Sequence, residues 1–301
     1  MRDKAKAMVL ASFAADSLAL GVHWIYDRAR IASEYGRVDN FFKPRENSYH
    51  STKDMGEFTH YGDQELVLLE SVAARNDFDL DDFSGRWQQL FQDYKGYVDG
   101  ATKGTLRNFS KGKGPQDSGS PSNDLAGASR IAPLVYCYRD DLDRLIEAAR
   151  AQTKMTHGDP LTVDSAEFFA RVAWKTLRGI SPSAAIAEVN KERFVDSTIA
   201  EWVEEGLGSK NMESVNAIAN FGQSCHAPDA FPGVIHLAAK YENDLEEALV
   251  QAVMAGGDNA ARGMAVGMVL GAYLGEKQLP DQWVTPLKKG EKIRNLLDKI
   301  G

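Results

Sequence analysis

Residues 255–275, AGGDNAARGMAVGMVLGAYLG, combine groups that could do chemistry with a spacing that indicates close helix packing. Asp258 and Asn259 follow a Gly-Gly pair, and glycine then recurs at every fourth position from 263 to 275. An aspartate just before a helix can cap its free N–H groups, and its carboxylate can also belong to a site. Three interpretations of Asp258 stay open: an active site, the remnant of one, or a helix cap.

A second polar cluster lies in FTHYGDQELVLLESV, at residues 58–72. Asp63 is predicted to be the N-cap of a helix that begins near Gln64. His60 and Tyr61 precede it and add groups that exchange protons or donate hydrogen bonds. A simple cap and a functional cluster both account for this pattern.

Two further acids lie within and just after the first apolar segment, MVLASFAADSLALGVHW. Asp16 is predicted to be buried, because this segment is apolar nearly all round. A buried carboxylate must be paired, hydrogen-bonded or metal-bound, so Asp16 either ties neighbouring backbone or lines a site. Asp27 follows His23 at the exit of the helix, where it either marks the helix end or faces a pocket.

Two more histidines, His157 in MTHGDP and His226 in SCHAPD, stand just before predicted helices. Helix N-termini present backbone N–H groups and the positive end of the helix dipole, which suits phosphate groups. A structural role for each histidine is equally compatible with its position.

The elements that must position these residues are helices. Ala- and Leu-rich windows with apolar residues at i, i+3 and i+4 predict an all-α fold, and alternating β patterns are nearly absent. The segment 96–124, rich in Gly, Ser and Lys, is predicted to be a long loop, either functional or merely solvated. Residues 276–301 are expected to form a loop and a short terminal helix. The predicted helices span 3–20, 63–76, 81–95, 141–153, 162–178, 182–191, 196–206, 210–220, 243–255 and 259–275.

Composition restricts the classes of partner. The net charge of −8 gives no overall basic field, so nucleic acid is not an expected partner. No apolar run is long enough for a membrane span. The two cysteines, Cys137 and Cys225, show no metal-ligand spacing and are expected to be small buried residues in a reducing compartment, here the cytoplasm.

Five segments in this order resemble motifs of the ADP-ribosylglycohydrolase (DraG-like) family, over residues 5–277. AADSLALGVHW is similar to the family's Gly-Asp-Ala-x-Gly helix, and GDQELVLLES to its Thr-Asp-Asp-Thr-Gln segment. GSPSNDLAGASRIAPLV, at 119–135, is similar to its Gly-Asn-Gly-x-x-Met-Arg-x-x-Pro ligand loop. TKMTHGDP resembles Thr-His-x-Asp-Pro, and AGGDNAARG resembles the signature Gly-Gly-Asp-Thr-Asp-Thr.

The resemblance implies one orthogonal all-α domain over residues 1–301, with a central cleft. It implies hydrolysis of an N- or O-glycosidic bond at the ribose of an ADP-ribose-type ligand or an ADP-ribosylated substrate. In the family, two Mg²⁺ or Mn²⁺ ions lie in the cleft. Such hard cations bind carboxylate and hydroxyl oxygens, and a pair of them can orient ribose hydroxyls and activate water.

The sequence departs from the family at the metal ligands. Residues 258–261 read Asp-Asn-Ala-Ala where the family has Asp-Thr-Asp-Thr, and residues 60–63 read His-Tyr-Gly-Asp where two aspartates are expected. We therefore predict that the two-metal centre is absent and that Asp258 and Asp63 hold at most one Mg²⁺ or Mn²⁺ ion.

The predicted catalytic residues are Asp258, His60 and Asp63, with His60 as the base if one is used. A further set is predicted to contact substrate, from the motifs and the polar clusters. It comprises Asp16, Asp27, Tyr61, Ser118, Asn123, Asp124, Arg130, His157 and Asn259.

Three functions stay open. The first is a hydrolase with altered or single-metal dependence, which requires an acidic, water-accessible cleft. The second is a pseudoenzyme that binds ADP-ribose or another nucleotide without hydrolysing it. The third is a structural protein whose cleft is filled with side chains, as befits the jellyfish lens crystallins that also resemble this family.

Overall fold

The computed structural model describes residues 1–301, and its secondary structure is helical throughout. It contains no β-strands, only two isolated bridges, which join Ser120 to His157 and Asp124 to His226. The all-α prediction is therefore confirmed. The helices are α1 (Arg2–Leu20), α2 (Arg28–Tyr35), α3 (His60–Arg75), α4 (Leu80–Gln92), α5 (Gly100–Ser110), α6 (Ala126–Ser129), α7 (Ala132–Cys137), α8 (Leu142–Thr156), α9 (Pro160–Leu177), α10 (Pro182–Val189), α11 (Thr198–Gly208), α12 (Ser214–Phe221), α13 (Ala227–Lys240), α14 (Leu245–Met254), α15 (Asn259–Leu274), α16 (Asp281–Val284) and α17 (Gly290–Lys299).

Helices α1 and α15 form the centre of the hydrophobic core. Both are buried on nearly every face, which explains why neither shows a strong amphipathic pattern. The small residues of α15 allow this closeness: a methyl group at Gly267 would lie 2.6 Å from the carbonyl oxygen of Ala11. The outer helices, such as α4 and α8, bury one face only.

Two local expectations were wrong. Helix α3 begins at His60 rather than near Gln64, and its N-cap is Thr59, whose hydroxyl accepts from the N–H of Tyr61 at 3.1 Å. Asp63 therefore lies in the first turn and is not the cap. The segment 96–124 is not a loop throughout, because α5 occupies residues 100–110. Asp99 caps that helix, and Thr102 and Thr105 lie on its buried face.

No helix combines the length and the apolar character that crossing a membrane would require.

Candidate functional site

The site is built where the exit of α1 meets the start of α15. The N–H of Trp24 donates to the carbonyl of Gly257 at 3.1 Å, and the N–H of Gly257 donates to the carbonyl of Ile25 at 2.9 Å. Gly256 and Gly257 adopt φ values of +70° and +66°, and a side chain on either would collide with a neighbouring backbone carbonyl. The Gly-Gly pair is therefore required to bring Asp258 against the end of α1.

Asp258 is fully buried and serves as the N-cap of α15. One carboxylate oxygen accepts from the N–H of Ala261 at 3.4 Å, and the other accepts from the hydroxyl of Tyr61 at 3.2 Å. Burial raises the pKa of Asp258 to about 7. A carboxyl group poised near neutrality can give or take a proton under physiological conditions.

Asn259 orients a histidine toward Asp258. Its side-chain oxygen lies 2.9 Å from His23 Nδ1, and its amide lies 3.4 Å from the carbonyl of Val253. This arrangement places the proton of His23 on Nδ1, so Nε2 presents a lone pair, 3.8 Å from the Asp258 carboxylate. Burial lowers the pKa of His23 to about 3, so the ring is neutral.

His60, the first residue of α3, faces a second acid. Its Nε2 lies 3.3 Å from the carboxylate of Asp99, the cap of α5. Burial alone would raise the pKa of Asp99, but the adjacent His60 lowers it well below its usual value. An ionised Asp99 can hold the imidazole in place and stabilise its protonated form.

A third histidine, His50, completes a cluster of buried rings. The ring centroids of His23, His50 and His60 lie 5.2–6.4 Å apart. Trp24 stacks on His23 at 4.5 Å, with the unusual backbone φ of +62°. We refer to the three buried histidines and the four aromatic side chains packed around them as the ring cluster. It comprises His23, Trp24, Tyr49, His50, His60, Tyr61 and Tyr97.

The imidazoles at this site are short of hydrogen-bond partners. Five buried ring nitrogens have none: His23 Nε2, both nitrogens of His50, His60 Nδ1 and His157 Nε2. Buried polar atoms without partners are uncommon in folded proteins, and each carries a desolvation cost. The concentration of such atoms in one place indicates groups held ready for a ligand or for water.

Asp63 and Asp16 lie beside the ring cluster but are engaged by other residues. Asp63 accepts from the ammonium of Lys53 and from the hydroxyl of Tyr94, the latter at 2.5 Å. Asp16 is fully buried and accepts from the N–H and the hydroxyl of Thr59, at 2.7 and 2.5 Å. Burial raises the pKa of Asp16 to about 7. Asp16 therefore anchors the start of α3 from behind.

The ligand-loop and Thr-His residues form a buried network next to His60. Arg130 donates to Gln64 at 2.6 Å and to Thr156 at 2.5 Å, and Thr156 contacts His157 Nδ1 at 2.9 Å. Burial and the neighbouring Arg130 lower the pKa of His157 to about 4. Ser118 is fully buried and donates to the carbonyl of Met155, so its hydroxyl is already used.

The remaining predicted residues are more exposed. Asp27 caps α2 by accepting from the N–H of Arg30 at 3.1 Å, and it is exposed. Asn123 and Asp124 are half-buried, and the Asp124 carboxylate lies 3.3 Å from His226 Nδ1. Burial is the main cause of the raised pKa of Asp258, and the charge of Asp124 adds to it.

A cavity of about 170 Å³ adjoins the ring cluster. His23 and Trp24 form its inner wall, and Tyr49 forms part of its rim. Arg30 and Arg45 also line it, and both guanidinium groups pair with Glu34, at 3.1 and 2.8 Å. The cavity therefore reaches the cluster from the side of α2, while Asp258 and His60 themselves stay buried.

The donor groups do not suit a pair of divalent ions. Lys53 already neutralises Asp63, whereas Asp258 faces Tyr61 and His23. Residues 260 and 261 are alanines and coordinate nothing. Metal dependence is general in proteins with this arrangement of motifs, but the imidazole and phenol groups here are poor substitutes for the oxygen anions that Mg²⁺ requires. The absence of the two-metal centre stays a prediction.

Sequence reasoning missed several members of the site. His50 and Tyr49 lie in an irregular segment, and no periodicity connects them to α3 or α15. Asp99 carried a signal, because Asp-x-x-Thr before a helix is an N-cap pattern, but the surrounding glycines and lysines favoured a loop. Trp24 directly follows His23 in the sequence, but no sequence pattern predicts its positive φ.

Comparison with known proteins gives a consistent result for the whole chain. The family model for ADP-ribosylglycohydrolase matches residues 1–301. Crystallin J1A of Tripedalia cystophora is 26% identical over 320 residues, covering 99% of this chain and 96% of the crystallin. ADP-ribosylhydrolase ARH3 of Mus musculus is 23% identical, covering 87% and 81% of the two chains.

A solved structure shares the fold. It is an ADP-ribosylglycohydrolase-related protein complex, which superimposes with a TM-score of 0.76 at 23% identity. The match covers 99% of this chain and 97% of that chain. The order of motifs, the all-α architecture and the full-length family match agree. This chain therefore belongs to the ADP-ribosylglycohydrolase family.

Proposed function

We propose that this protein hydrolyses an N- or O-glycosidic bond at the ribose of an ADP-ribose-type substrate, with altered or reduced metal dependence. The observation that carries the proposal is the set of five unpartnered imidazole nitrogens in and next to the ring cluster. A core with a purely structural role would satisfy these atoms or replace them with apolar groups. A polyhydroxylated sugar supplies the donors and acceptors that they lack.

The proposed chemistry uses one acid and one base. Asp258, whose pKa is about 7, protonates the leaving atom as the glycosidic bond breaks. His60 takes a proton from the attacking water, and Asp99, 3.3 Å away, stabilises the imidazolium. Each turnover adds one water across the bond, and the two residues then exchange protons with solvent to restore the starting state.

The other predicted residues bind and orient in this proposal. Tyr61 and Asn259 fix Asp258 and His23 by hydrogen bonds. Trp24 and Tyr49 offer ring faces and edges at the mouth of the cavity, where an adenine ring could stack. Arg130 and His157 belong to the buried network next to His60, the proposed base, through their contacts with Gln64 and Thr156.

Metal enters this proposal in a reduced role. Asp258 and Asp63, the two predicted ligands, hold at most one Mg²⁺ or Mn²⁺ ion. Such an ion would require Asp258 to be ionised, so the acid role of Asp258 applies to the metal-free protein. The proposed substrate is free or protein-linked ADP-ribose, and nucleic acid and membrane are not proposed as partners. The proposed location is the cytoplasm, where the two free cysteines stay reduced.

The test is release of ADP-ribose from arginine-linked and serine-linked ADP-ribosylated peptides, with a chelator and with added Mg²⁺. We expect turnover that survives the chelator and falls about 100-fold or more in Asp258→Asn and in His60→Phe. Asp196→Asn, at an exposed site without a charged partner, is the matched control. Turnover that requires Mg²⁺ absolutely, or that survives Asp258→Asn, would refute the proposed mechanism.

A pseudoenzyme is the alternative, and one observation favours it. Asp258 and His60 are almost completely inaccessible, and the rings of the cluster fill the space around them. A protein that only binds would show a rise in melting temperature with ADP-ribose and no release from either peptide. If ADP-ribose changes neither quantity, the structural role suggested by the resemblance to the crystallins is supported instead.

A further inference from the structure

We propose that Asp124, Cys225 and His226 form a zinc site that is separate from the predicted Asp258–Asp63 metal ligands. One ligand atom from each residue lies within 4.8 Å of the others. The side chains supply a carboxylate oxygen, a thiol sulfur and an imidazole nitrogen. Zn²⁺ binds all three types and accepts tetrahedral sites of mixed composition.

The backbone holds the three residues together before any ion binds. The N–H of Leu125 donates to the carbonyl of Cys225 at 2.8 Å, and the N–H of Ala227 donates to the carbonyl of Asn123 at 2.8 Å. Asp124 and His226 therefore stand opposite each other as the antiparallel pair between these two bonds. In such a pair the facing side chains approach most closely.

The geometry is close to that of a tetrahedral ion. His226 Nδ1 lies 3.3 Å from Asp124 Oδ1. Two ligands bound at the usual zinc distances of about 2.0–2.2 Å are separated by about 3.3–3.5 Å across a tetrahedron. The nitrogen and the oxygen therefore already have the required separation, and the sulfur of Cys225 lies within 4.8 Å of both.

Charge also suits a divalent cation. A thiolate, a carboxylate and a neutral imidazole balance the two positive charges of Zn²⁺. No lysine or arginine forms an ion pair with Asp124, whose only such contact is His226. Three protein ligands leave a fourth position for water, and the half-buried Asp124 and exposed His226 keep that position open to solvent.

The second layer of contacts restrains the loop that carries two of the ligands. The hydroxyl of Ser224 accepts from the N–H of His226 at 3.2 Å and donates to the Asp229 carboxylate at 2.6 Å. Such supporting hydrogen bonds fix ligand orientation in metal sites. No sequence pattern predicts this zinc site, because Asp124 is far along the chain from Cys225 and His226.

The test uses the full chain, stripped with a chelator and titrated with Co²⁺ and then Zn²⁺. We expect one Co²⁺ per chain with a thiolate-to-metal absorption band, which Zn²⁺ abolishes by displacement. Cys225→Ser should remove the band, and His226→Ala and Asp124→Asn should weaken binding about tenfold or more. Cys137→Ser is the matched control, because Cys137 is also free and half-buried, and it should leave the band unchanged.

A second readout needs no variant. Zn²⁺ should slow alkylation of Cys225 and leave the alkylation of Cys137 unchanged, with both sites quantified by peptide mass analysis. A wild-type protein without the band, a band that persists in Cys225→Ser, or equal alkylation of Cys225 with and without Zn²⁺ would overturn the proposal. Asp258→Asn should retain the band, which separates this site from the proposed hydrolytic site.

Discussion

The two ends of helix α15 lie in different environments. Its C-terminal half packs against α1 through small residues: a methyl group at Gly271 would lie 2.9 Å from Met8 Cα, and the surroundings are apolar. Its N-terminal end carries Asp258 and Asn259 against buried imidazoles, several of which lack partners. The first region satisfies the usual requirements for stability, and the second violates them. Violations concentrated at one place are typical of functional sites.

The prediction with the largest expected effect concerns the C-terminal half of α15, which packs against α1. Gly267→Ala places a methyl group 2.6 Å from the carbonyl oxygen of Ala11, and the backbone of α1 must move to accommodate it. We expect the free energy of unfolding to fall by about 3 kcal/mol. Chemical denaturation monitored by far-ultraviolet circular dichroism measures this difference.

Gly263→Ala is the matched control on the same helix. A methyl group at Gly263 would lie 3.5 Å from Ala15 Cβ, an ordinary contact. Alanine is the better helix former, so we expect the stability to stay the same or to rise by about 1 kcal/mol. Equal losses in the two variants would show that close packing is not what the four-residue glycine spacing provides.

The next prediction concerns the N-terminal end of α15, where Asp258 should make stability depend on pH. The pKa of Asp258 is about 7 in the folded state, against a usual value of 3.8. Between these values the folded state binds more protons than the unfolded state, so this group's contribution to stability falls as the pH rises from about 4 to 7. Asp258→Asn removes that loss. We expect the difference in free energy of unfolding, variant minus wild type, to increase by about 2 kcal/mol between pH 5 and pH 8.

Comparing wild type and Asp258→Asn at each pH isolates the contribution of Asp258 to stability. The buried His23 has a pKa lowered to about 3, and its contribution changes in the opposite direction, toward greater stability as the pH rises to about 6.5. Both proteins contain this histidine, so its contribution largely cancels in the difference. Asp196→Asn, at an exposed position, should show no pH-dependent difference from wild type. If the stability difference between Asp258→Asn and wild type also does not change with pH, Asp258 is ionised in the folded state at every pH tested.

The contrast between the two ends also explains what the sequence could predict. Helical periodicity and the glycine spacing of α15 are local patterns, and they correctly predict an all-α fold with a closely packed central helix. Asp258 follows from its position after the Gly-Gly pair. Its partners depend on how distant segments meet, and Tyr61 donates to it across 197 positions of the chain.

The partners that escaped prediction have no local signature. His50 lies in irregular structure between α2 and α3, and its ring reaches His60 at 5.5 Å only through the tertiary fold. Asp99 has the sequence of a cap, but its contact with His60 joins two helices. The start of α3 was misplaced for a related reason. Thr59 is the N-cap because Asp16, far away in sequence, accepts hydrogen bonds from its backbone N–H and its hydroxyl.

The smallest expected effect compares two buried histidines directly. His50 has no partner for either nitrogen, whereas His236 contacts Ser209 Oγ at 2.7 Å and Ser214 Oγ at 2.9 Å. His50→Phe exchanges an unpartnered polar ring for an apolar ring, so we expect the free energy of unfolding to rise by about 1 kcal/mol. The matched His236→Phe removes both of these hydrogen bonds, at about 1 kcal/mol each, and should lower the free energy of unfolding by about 2 kcal/mol. Denaturant midpoints of the two variants measure both effects. If His50→Phe loses as much stability as His236→Phe, the nitrogens of His50 are satisfied in solution, and the ring cluster is an ordinary part of the core rather than a set of groups awaiting a ligand.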